Sequence, residues 1–265
     1  MPELEHQGCH LHYELAGEGP PVLLIQGVGV EGSGWRPQIA DLAGRHQCLS
    51  YDNRGIGRSQ PAAGRLSIEQ FAADAVALMD AAGWKKAHIV GHSMGGLIAQ
   101  QIALTARERV RSLALLCTFA RGRNVTGLSW EMLVAGLRTR VGPRAWRRKA
   151  FLRMVEAPET EASRMAELFG HDLADQPPIV MKHLSAMSAY DAAGRLKELA
   201  GIPVLVVSGA RDRIARPELG RAIAAGVADA GYEEFATAGH ALPITHTARL
   251  NALLLDHFRS SSISE

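Results

Sequence analysis

Short apolar segments that alternate with helical patterns constrain this chain most strongly. The apolar segments are mostly continuous and span residues 22–26, 47–51, 87–90, 112–118 and 204–208. Strands of that kind are buried on both faces, as in a parallel sheet. Helical patterns follow Ser67, which can cap its helix, then Met94 and Arg216, and a last one spans residues 247–258. Because parallel strands need crossover connections, the alternation predicts a doubly wound α/β sheet.

The alternation is interrupted between about residues 121 and 190, where several helical patterns occur without a convincing strand. We therefore predict a core domain of residues 1–120 and 191–265 and a helical cap inserted as residues 121–190. A hairpin is expected before the first parallel strand, because residues 3–6 and 9–15 flank a Gln-Gly turn. Its second arm alternates apolar and polar residues, which predicts one buried face.

Composition excludes several classes of protein. The chain has 265 residues, 47% of them hydrophobic, which is enough for a sizeable globular core. A formal net charge of +2 is too small for a nucleic-acid-binding surface. The three cysteines lack CxxC spacing, which argues against a disulfide framework or a zinc site and favours a reducing compartment. With no signal peptide pattern and no membrane-spanning apolar run, a cytoplasmic location without membrane contact is expected.

The segment Gly91-His92-Ser93-Met94-Gly95 carries the clearest chemical signal. It fits the G-x-S-x-G pattern, follows an apolar strand and opens a helix, which is the setting that exposes a nucleophilic serine at a sharp turn. The glycines leave room for neighbouring backbone, and the Met94 amide at the helix start can stabilise developing negative charge. We predict that Ser93 is the nucleophile and that the Met94 N–H is half of an oxyanion hole.

A serine needs a base to remove its proton, and the base needs a carboxylate to orient it. His240 is the favoured base because its loop follows a short strand at residues 232–235 and precedes the last helix, with His246 as the second candidate. Asp212 follows the strongest late strand, where ligands collect in such sheets. A surface ion pair with its flanking arginines is the alternative role of Asp212.

The chain order Ser93, Asp212, His240, with a helical insertion after the serine, resembles the α/β-hydrolase superfamily. Residues 52–59 are similar to the family's D-x-R-G-x-G-x-S turn, and residues 239–243 to its histidine loop. The resemblance covers nearly the whole chain and implies an eight-stranded, mostly parallel sheet with a helical cap. It also implies an enzyme that needs neither a metal nor an organic cofactor.

The same resemblance implies further site residues. The Val28 N–H would be the second oxyanion donor, and Gln26 replaces the histidine that is common in the family, so Gln26 contacts substrate, solvent or the loop itself. Trp35 matches a position that packs near the pocket, although burial in the core is equally expected. In the predicted cap, Trp130, Met132 and Met154 supply apolar surface that could line a pocket or pack helix against sheet.

The cap also carries a basic run without an intervening acid: Arg138, Arg140, Arg144, Arg147, Arg148, Lys149 and Arg153. A solvated helix face is the ordinary interpretation, and docking of an acidic carrier protein is the other. The leading function is hydrolysis of a small or medium carboxylic ester, aryl ester or lactone through an acyl-enzyme. The alternatives are carbon–carbon bond hydrolysis, hydrolysis of carrier-protein-bound esters, and a ligand receptor or regulator that retains the triad.

Overall fold

The computed structural model describes residues 3–126, 134 and 136–262. Its eight-stranded sheet has the order β1-β2-β4-β3-β5-β6-β7-β8. The pairs β1–β2 and β2–β4 are antiparallel, and the remaining neighbours are parallel. The doubly wound, mostly parallel sheet expected from the sequence is therefore confirmed. The strands are Glu3–His6 (β1), Cys9–Ala16 (β2), Pro21–Ile25 (β3), Gln47–Tyr51 (β4), Ala87–His92 (β5), Val110–Leu116 (β6), Val204–Gly209 (β7) and Gly231–Phe235 (β8).

Helices connect the strands and cover both faces of the sheet. The α-helices are Arg36–Leu42 (α1), Ile68–Ala81 (α2), Met94–Thr105 (α3), Arg123–Thr126 (α4), Arg144–Met154 (α5), Ala162–Phe169 (α6), Val180–Ala189 (α7), Pro217–Gly226 (α8), Leu242–Thr245 (α9) and Thr247–Ser262 (α10). Short 3-10 helices span Gly32–Trp35, Arg107–Arg109, Glu159–Glu161 and Ala193–Leu199. The Ser67 hydroxyl accepts a hydrogen bond from the Gln70 amide at 3.2 Å and so caps α2 as expected.

The core divides into layers because the central strands are apolar on both sides. Helices α2 and α3 cover one face of the sheet, where Phe71, Leu78 and Leu97 are buried. Helices α1 and α10 cover the other face, with Leu42 and Phe258 among its buried residues. Because β3, β5, β6 and β7 are parallel neighbours, the loops beyond their carboxyl ends meet at one edge of the sheet.

The N-terminal hairpin has the predicted register but a different burial pattern. Gln7 and Gly8 both have positive φ, at 47° and 71°, as a two-residue turn of this hand requires. His12 is only 3% exposed, although it was expected on the solvent face, because the loop after β4 covers it and the Ser59 hydroxyl accepts its amide. Leu15, expected to be buried, is 41% exposed. The alternation of buried and exposed residues thus holds at the start of β2, over residues 9–11, and is lost further along the strand.

Between residues 121 and 190 the described elements are helical, from α4 to α7 and the 3-10 helix Glu159–Glu161. The chain leaves and re-enters the core at one place: Arg121 and Asp191 form an isolated antiparallel bridge, and the Gly122 amide donates to the Tyr190 carbonyl at 2.9 Å. A separate cluster of buried residues, which includes Phe151, Met165 and Leu173, fills this region. The division into core and cap stays a prediction. No helix in the described ranges combines the length and apolar character needed to cross a membrane.

Candidate active site

Ser93 lies between the end of β5 and the start of α3 in a conformation that few residues adopt. Its φ is 55° and its ψ is −120°, a sparsely populated backbone region that persists only when the surroundings hold it. The Ser93 amide donates to the Leu116 carbonyl at 3.0 Å, and the Thr118 hydroxyl donates to the Ser93 carbonyl at 2.7 Å. Sheet hydrogen bonding and a neighbouring side chain therefore fix the serine on both sides.

The glycines around Ser93 are required by close backbone contacts. A Cβ on Gly91 would meet the Gly95 carbonyl, and one on Gly95 would meet the carbonyl at the end of β3. A Cβ on Gly96 would meet the side chain of Thr118, the residue that donates to the Ser93 carbonyl. The two glycines of the G-x-S-x-G pattern and the following Gly96 thus reflect three crowded positions rather than chain flexibility.

Asp212 and His240 lie in separate loops beyond β7 and β8 and contact each other directly. His240 Nδ1 and Asp212 Oδ2 are 2.8 Å apart, and the Asp212 side chain has no exposed surface. The other carboxylate oxygen, Oδ1, accepts the amides of Ile214 and Ala215 at 2.8 and 2.9 Å. Arg213, one of the residues that flank Asp212, pairs instead with Glu156 at 2.7 Å. The carboxylate is therefore directed at the histidine.

Three side-chain and backbone contacts hold the histidine loop (residues 239–243), which carries His240. His92 Nε2 donates to the His240 carbonyl at 2.9 Å, and the Ala241 amide donates to the Val155 carbonyl at 3.2 Å. The Cys117 thiol contacts the Gly239 carbonyl at 3.8 Å. Sequence reasoning assigned no role to His92 or Cys117, because these contacts join segments that are far apart in the chain.

Burial determines the protonation of His92 and Cys117. Burial and, after it, the neighbouring His240 lower the pKa of His92 to about 3, so His92 stays neutral near pH 7. Burial raises the pKa of the Cys117 thiol well above its ordinary value, with the Asp212 charge acting in the same direction. His92 therefore serves as a neutral donor and Cys117 as an unreactive thiol.

His92, Cys117 and His240 are also the group of metal-type ligands that the described residues bring together, with ligand atoms within 4.8 Å of one another. Their atoms already have other partners. His240 Nδ1 contacts Asp212, His92 Nε2 donates to a backbone carbonyl, and the thiol keeps its proton. These contacts join His92 and Cys117 to the histidine loop and His240 to Asp212, so the cluster holds the loop that carries His240.

The loop after β3 passes directly beside Ser93. We call residues 26–29 the oxyanion loop, after the role predicted for Val28. A Cβ on Gly27 would lie 3.0 Å from the Ser93 Cβ, and both Gly27 and Val28 line the same cavity as Ser93 and His240. Met94 is the first residue of α3, whose opening amides have no partner within the helix. Both predicted donors therefore belong to segments that border the serine.

Ser93 and His240 open into a cavity of about 460 Å³ beneath the predicted cap. Val28, Val30 and Phe119 of the core form one side of its wall. The other side comes from helices α5 to α7 and includes Phe151, Met154, Met165, Val180, Met181, Leu184 and Met187. The volume is within the range of about 300–1,000 Å³ that is typical of small-molecule pockets. The wall is mostly aliphatic and aromatic, so it favours an apolar ligand.

The structure places the other predicted pocket residues differently. Met154 lines the cavity, whereas Gln26 and Trp35 do not contribute to the part of the wall that the described residues form. Trp35 is fully buried in the core beneath α1. Gln26 accepts the Gly27 amide through its own side chain at 3.3 Å, so it supports the oxyanion loop. Of the alternatives that the sequence left open, the structure shows core burial for Trp35 and a loop contact for Gln26, and substrate contact by either residue stays a prediction. Trp130 and Met132 lie outside the described residues.

His246, the second candidate base, is part of a different cluster. Its Nε2 lies 3.0 Å from the Thr237 hydroxyl and its Nδ1 lies 2.8 Å from the Thr245 hydroxyl. Its ring contacts Phe235 at a centroid distance of 5.9 Å. Both ring nitrogens thus have threonine partners, and His246 does not contribute to the described wall of the cavity.

The basic run lies partly on α5 and is paired within the same region. Arg144 contacts Asp172 and Asp175, Arg147 contacts Asp175, and Arg148 contacts Asp172, at distances of 2.6–3.6 Å. Hydrogen bonds from the Ala174 backbone amide and from Arg148 and Arg144 lower the pKa of Asp172 to about 2. The run is therefore less cationic than its sequence suggests, and docking of an acidic protein stays a prediction.

Comparison with known proteins agrees with this architecture. A family model described as alpha/beta hydrolase fold matches residues 20–247. The protein named "Putative carbamate hydrolase RutD" of Azorhizobium caulinodans is 33% identical over 96% of this chain and 97% of its own length. The solved enol-lactonase of Burkholderia xenovorans LB400 is 28% identical, with a TM-score of 0.84 over 97% of this chain and all of its own.

A thermophilic esterase of Thermogutta terrifontis, solved with malate bound, is 26% identical, with a TM-score of 0.82 over 98% of this chain and 99% of its own. The relatives thus differ in the substrates that their names give, but they share a fold and hydrolytic chemistry. This chain belongs to the α/β-hydrolase fold family, and it is a hydrolase.

Proposed function

We propose that this hydrolase cleaves carboxylic esters or lactones whose acyl part is apolar, with Ser93 as nucleophile, His240 as base and Asp212 as orienting carboxylate. The observation that carries the proposal is the placement of Ser93, at φ 55°, in the same cavity as a histidine whose Nδ1 is 2.8 Å from a buried carboxylate. A buried Asp fixes the tautomer of the histidine, so that Nε2 can accept the serine proton.

The reaction then proceeds through an acyl-enzyme. His240 removes the Ser93 proton as the hydroxyl oxygen attacks the carbonyl carbon, and the amides of Val28 and Met94 donate to the resulting oxyanion. His240 next gives the proton to the departing alcohol oxygen. Water, activated by the same histidine, hydrolyses the acyl-enzyme and releases the acid.

The apolar acyl group is inferred from the cavity wall. Burial of an apolar chain against Phe151, Met154 and Met187 contributes about 0.8 kcal/mol per methylene. Carbamate, which the name of the RutD relative suggests as a substrate, is a small polar anion that would gain little from this wall. A carbamate with a large apolar substituent remains compatible with the same triad, so it belongs among the test substrates.

The test is a panel of aryl esters from acetate to laurate, benzoate, aliphatic lactones, β-diketones and N-alkyl carbamates. We expect kcat/KM to rise by about fivefold or less per added methylene over the first few members and then to fall when the cavity is full. Ser93→Ala should abolish turnover, and Ser163→Ala, the same change on the exposed face of α6, should retain it. Equal turnover by the wild type and Ser93→Ala would refute the assignment.

The remaining alternatives give different outcomes in the same panel. Selective cleavage of β-diketones would support the carbon–carbon bond hydrolase. Absence of turnover on every substrate, combined with tight binding of an apolar ligand, would favour the receptor or regulator. Activity on carrier-protein-bound esters alone, with strong salt dependence, would support docking at the basic run.

A further inference from the structure

The predicted cap contacts the oxyanion loop at one carbonyl group. His171, in the segment after α6, places Nε2 at 2.9 Å from the Gly29 carbonyl oxygen and Nδ1 at 3.0 Å from the Asp172 carbonyl oxygen. A carbonyl oxygen only accepts, so the bond to Gly29 needs a proton on Nε2. The neutral ring protonated at Nε2 makes this bond alone, whereas the imidazolium donates to both carbonyls. The residue adjacent to the proposed oxyanion donor Val28 is therefore held by a side chain 142 positions later in the chain.

Gly29 is the residue of the oxyanion loop whose backbone lies in the left-handed region. Its φ is 76°, in the left-handed region that favours glycine, and a Cβ there would lie 3.2 Å from Val180 of α7. The other supports of the segment lie on either side of it. The side-chain amide of Asn53 donates to the Gln26 carbonyl at 2.9 Å, and the backbone amide of Gly32 donates to the Asp52 carboxylate at 2.8 Å. Between these two contacts with the core, His171 holds the loop from above.

We propose that His171 is a positioning residue for the oxyanion hole: it fixes the Gly29 carbonyl and thereby directs the Val28 N–H at the reacting oxygen. The proposal rests on the proposed function, because it requires an oxyanion at Ser93. It makes the segment over the cavity part of the catalytic machinery as well as part of the pocket wall. An oxyanion donor contributes only when its N–H points at the oxyanion, so a loss of aim lowers kcat rather than substrate affinity.

The neighbouring Ser33 provides a matched control. Its hydroxyl donates to the Leu168 carbonyl at 2.8 Å, so it joins the 3-10 helix Gly32–Trp35 to the end of α6. That bond crosses the same boundary as the His171 bond, between the core and residues 121–190, and it also joins a side chain to a backbone carbonyl. Ser33, however, lies outside the oxyanion loop. Ser33→Ala therefore removes an equivalent contact without releasing Gly29.

The experiment compares His171→Phe, His171→Gln, His171→Asn and Ser33→Ala on the best ester of the panel. Phenylalanine keeps the ring but lacks a donor, and we expect kcat to fall by about tenfold to a hundredfold with KM within about twofold. Glutamine places an N–H near the position of Nε2 and should restore most of the activity. Asparagine carries the same amide on a shorter side chain and should not, while Ser33→Ala should retain kcat within about threefold.

The affinity for a transition-state analogue distinguishes a misdirected oxyanion donor from a general loss of stability. An alkyl boronic acid forms a tetrahedral adduct with a catalytic serine, and its affinity should fall in His171→Phe by the same factor as kcat. The affinity for the alcohol product should stay within about twofold, because an alcohol places no anionic oxygen at the Val28 and Met94 amides. A structural role alone would not produce this division.

Two results would overturn the proposal. One is an equal loss of kcat in His171→Phe and Ser33→Ala. The other is equal activity of His171→Gln and His171→Asn, which stays informative if the phenylalanine variant does not fold. Failure of the proposed function is distinguishable, because it appears as turnover by Ser93→Ala, whatever occupies position 171.

Discussion

Replacing Asp212 by asparagine tests the proposed triad at the contact between Asp212 and His240. The Asp212 carboxylate accepts three hydrogen bonds: two backbone amides at Oδ1 and His240 Nδ1 at Oδ2. Asparagine has one oxygen. If that oxygen stays with the two amides, its NH2 group faces His240 and donates to Nδ1. The proton of the imidazole then moves to Nε2, which can no longer accept the Ser93 proton.

The alternative orientation of the asparagine is also unfavourable. If the amide turns its oxygen toward His240, two buried backbone N–H groups lose their acceptor, at a cost of about 1–3 kcal/mol each. The charge-assisted bond that stabilises the imidazolium is lost as well, which adds about 1.5–3 kcal/mol. These costs together disfavour the orientation in which His240 can act as a base. At about 1.4 kcal/mol per factor of ten in rate, we expect kcat to fall by about 10⁴-fold.

The assay is steady-state hydrolysis of the best aryl ester, accompanied by thermal unfolding to verify that Asp212→Asn is folded. Glu156→Gln is the matched control. Glu156 is an acid beside the histidine loop that pairs with Arg213, and its neutralisation should change kcat by about threefold or less. A folded Asp212→Asn enzyme with kcat within tenfold of the wild type would refute the reasoning.

Three further predictions concern pocket, stability and packing. Met154→Ala enlarges the cavity and should shift the chain-length preference toward longer esters by about tenfold in relative kcat/KM, whereas Trp35→Phe, a change in the core, should leave the preference unaltered. Burial lowers the pKa of His88 from 6.5 to about 3, so the unfolded state binds a proton in this range that the folded state does not. The free energy of unfolding should therefore fall on acidification from pH 6.5. When this free energy is measured by urea unfolding at several pH values, His88→Gln should lower its slope against pH by up to about 1.4 kcal/mol per pH unit, and an unchanged slope would contradict the prediction. Gly96→Ala inserts a methyl group against Thr118 and should destabilise the fold by about 1–3 kcal/mol, so an unchanged melting temperature would show that this contact relaxes freely.

The sheet could be predicted because its signals are local. A strand buried on both faces is a continuous apolar run, and a sharp turn that exposes Ser93 needs small neighbours within a few residues. Asp212 and His240 could be proposed for a related reason: each follows its own strand, and parallel strands bring their carboxyl ends to one edge. In these cases a short sequence pattern is enough to predict where a side chain lies in the fold.

Contacts between distant segments could not be predicted in the same way. His92 donates to a carbonyl 148 positions later, and His171 to one 142 positions earlier. A backbone carbonyl is present at every residue, so such bonds leave no pattern in the sequence. The ion pairs of the basic run could not be predicted for a similar reason, since the partners Asp172 and Asp175 are remote in sequence and near in space. Trp35 was ambiguous because an apolar side chain suits a core and a pocket equally.

The paired junction at Arg121 and Asp191 has a consequence for how such an enzyme acquires new substrates. Hydrogen bonds join the two ends, so a segment of another length or composition could be spliced between them without displacing the sheet. The entropy of closing a loop grows only slowly with its length, and changes in size are therefore tolerated at such a point. A replacement segment would have to reproduce the contacts with the active-site loops. These include the Val155 carbonyl that accepts the Ala241 amide and, on the proposal above, a donor to the Gly29 carbonyl where His171 now stands.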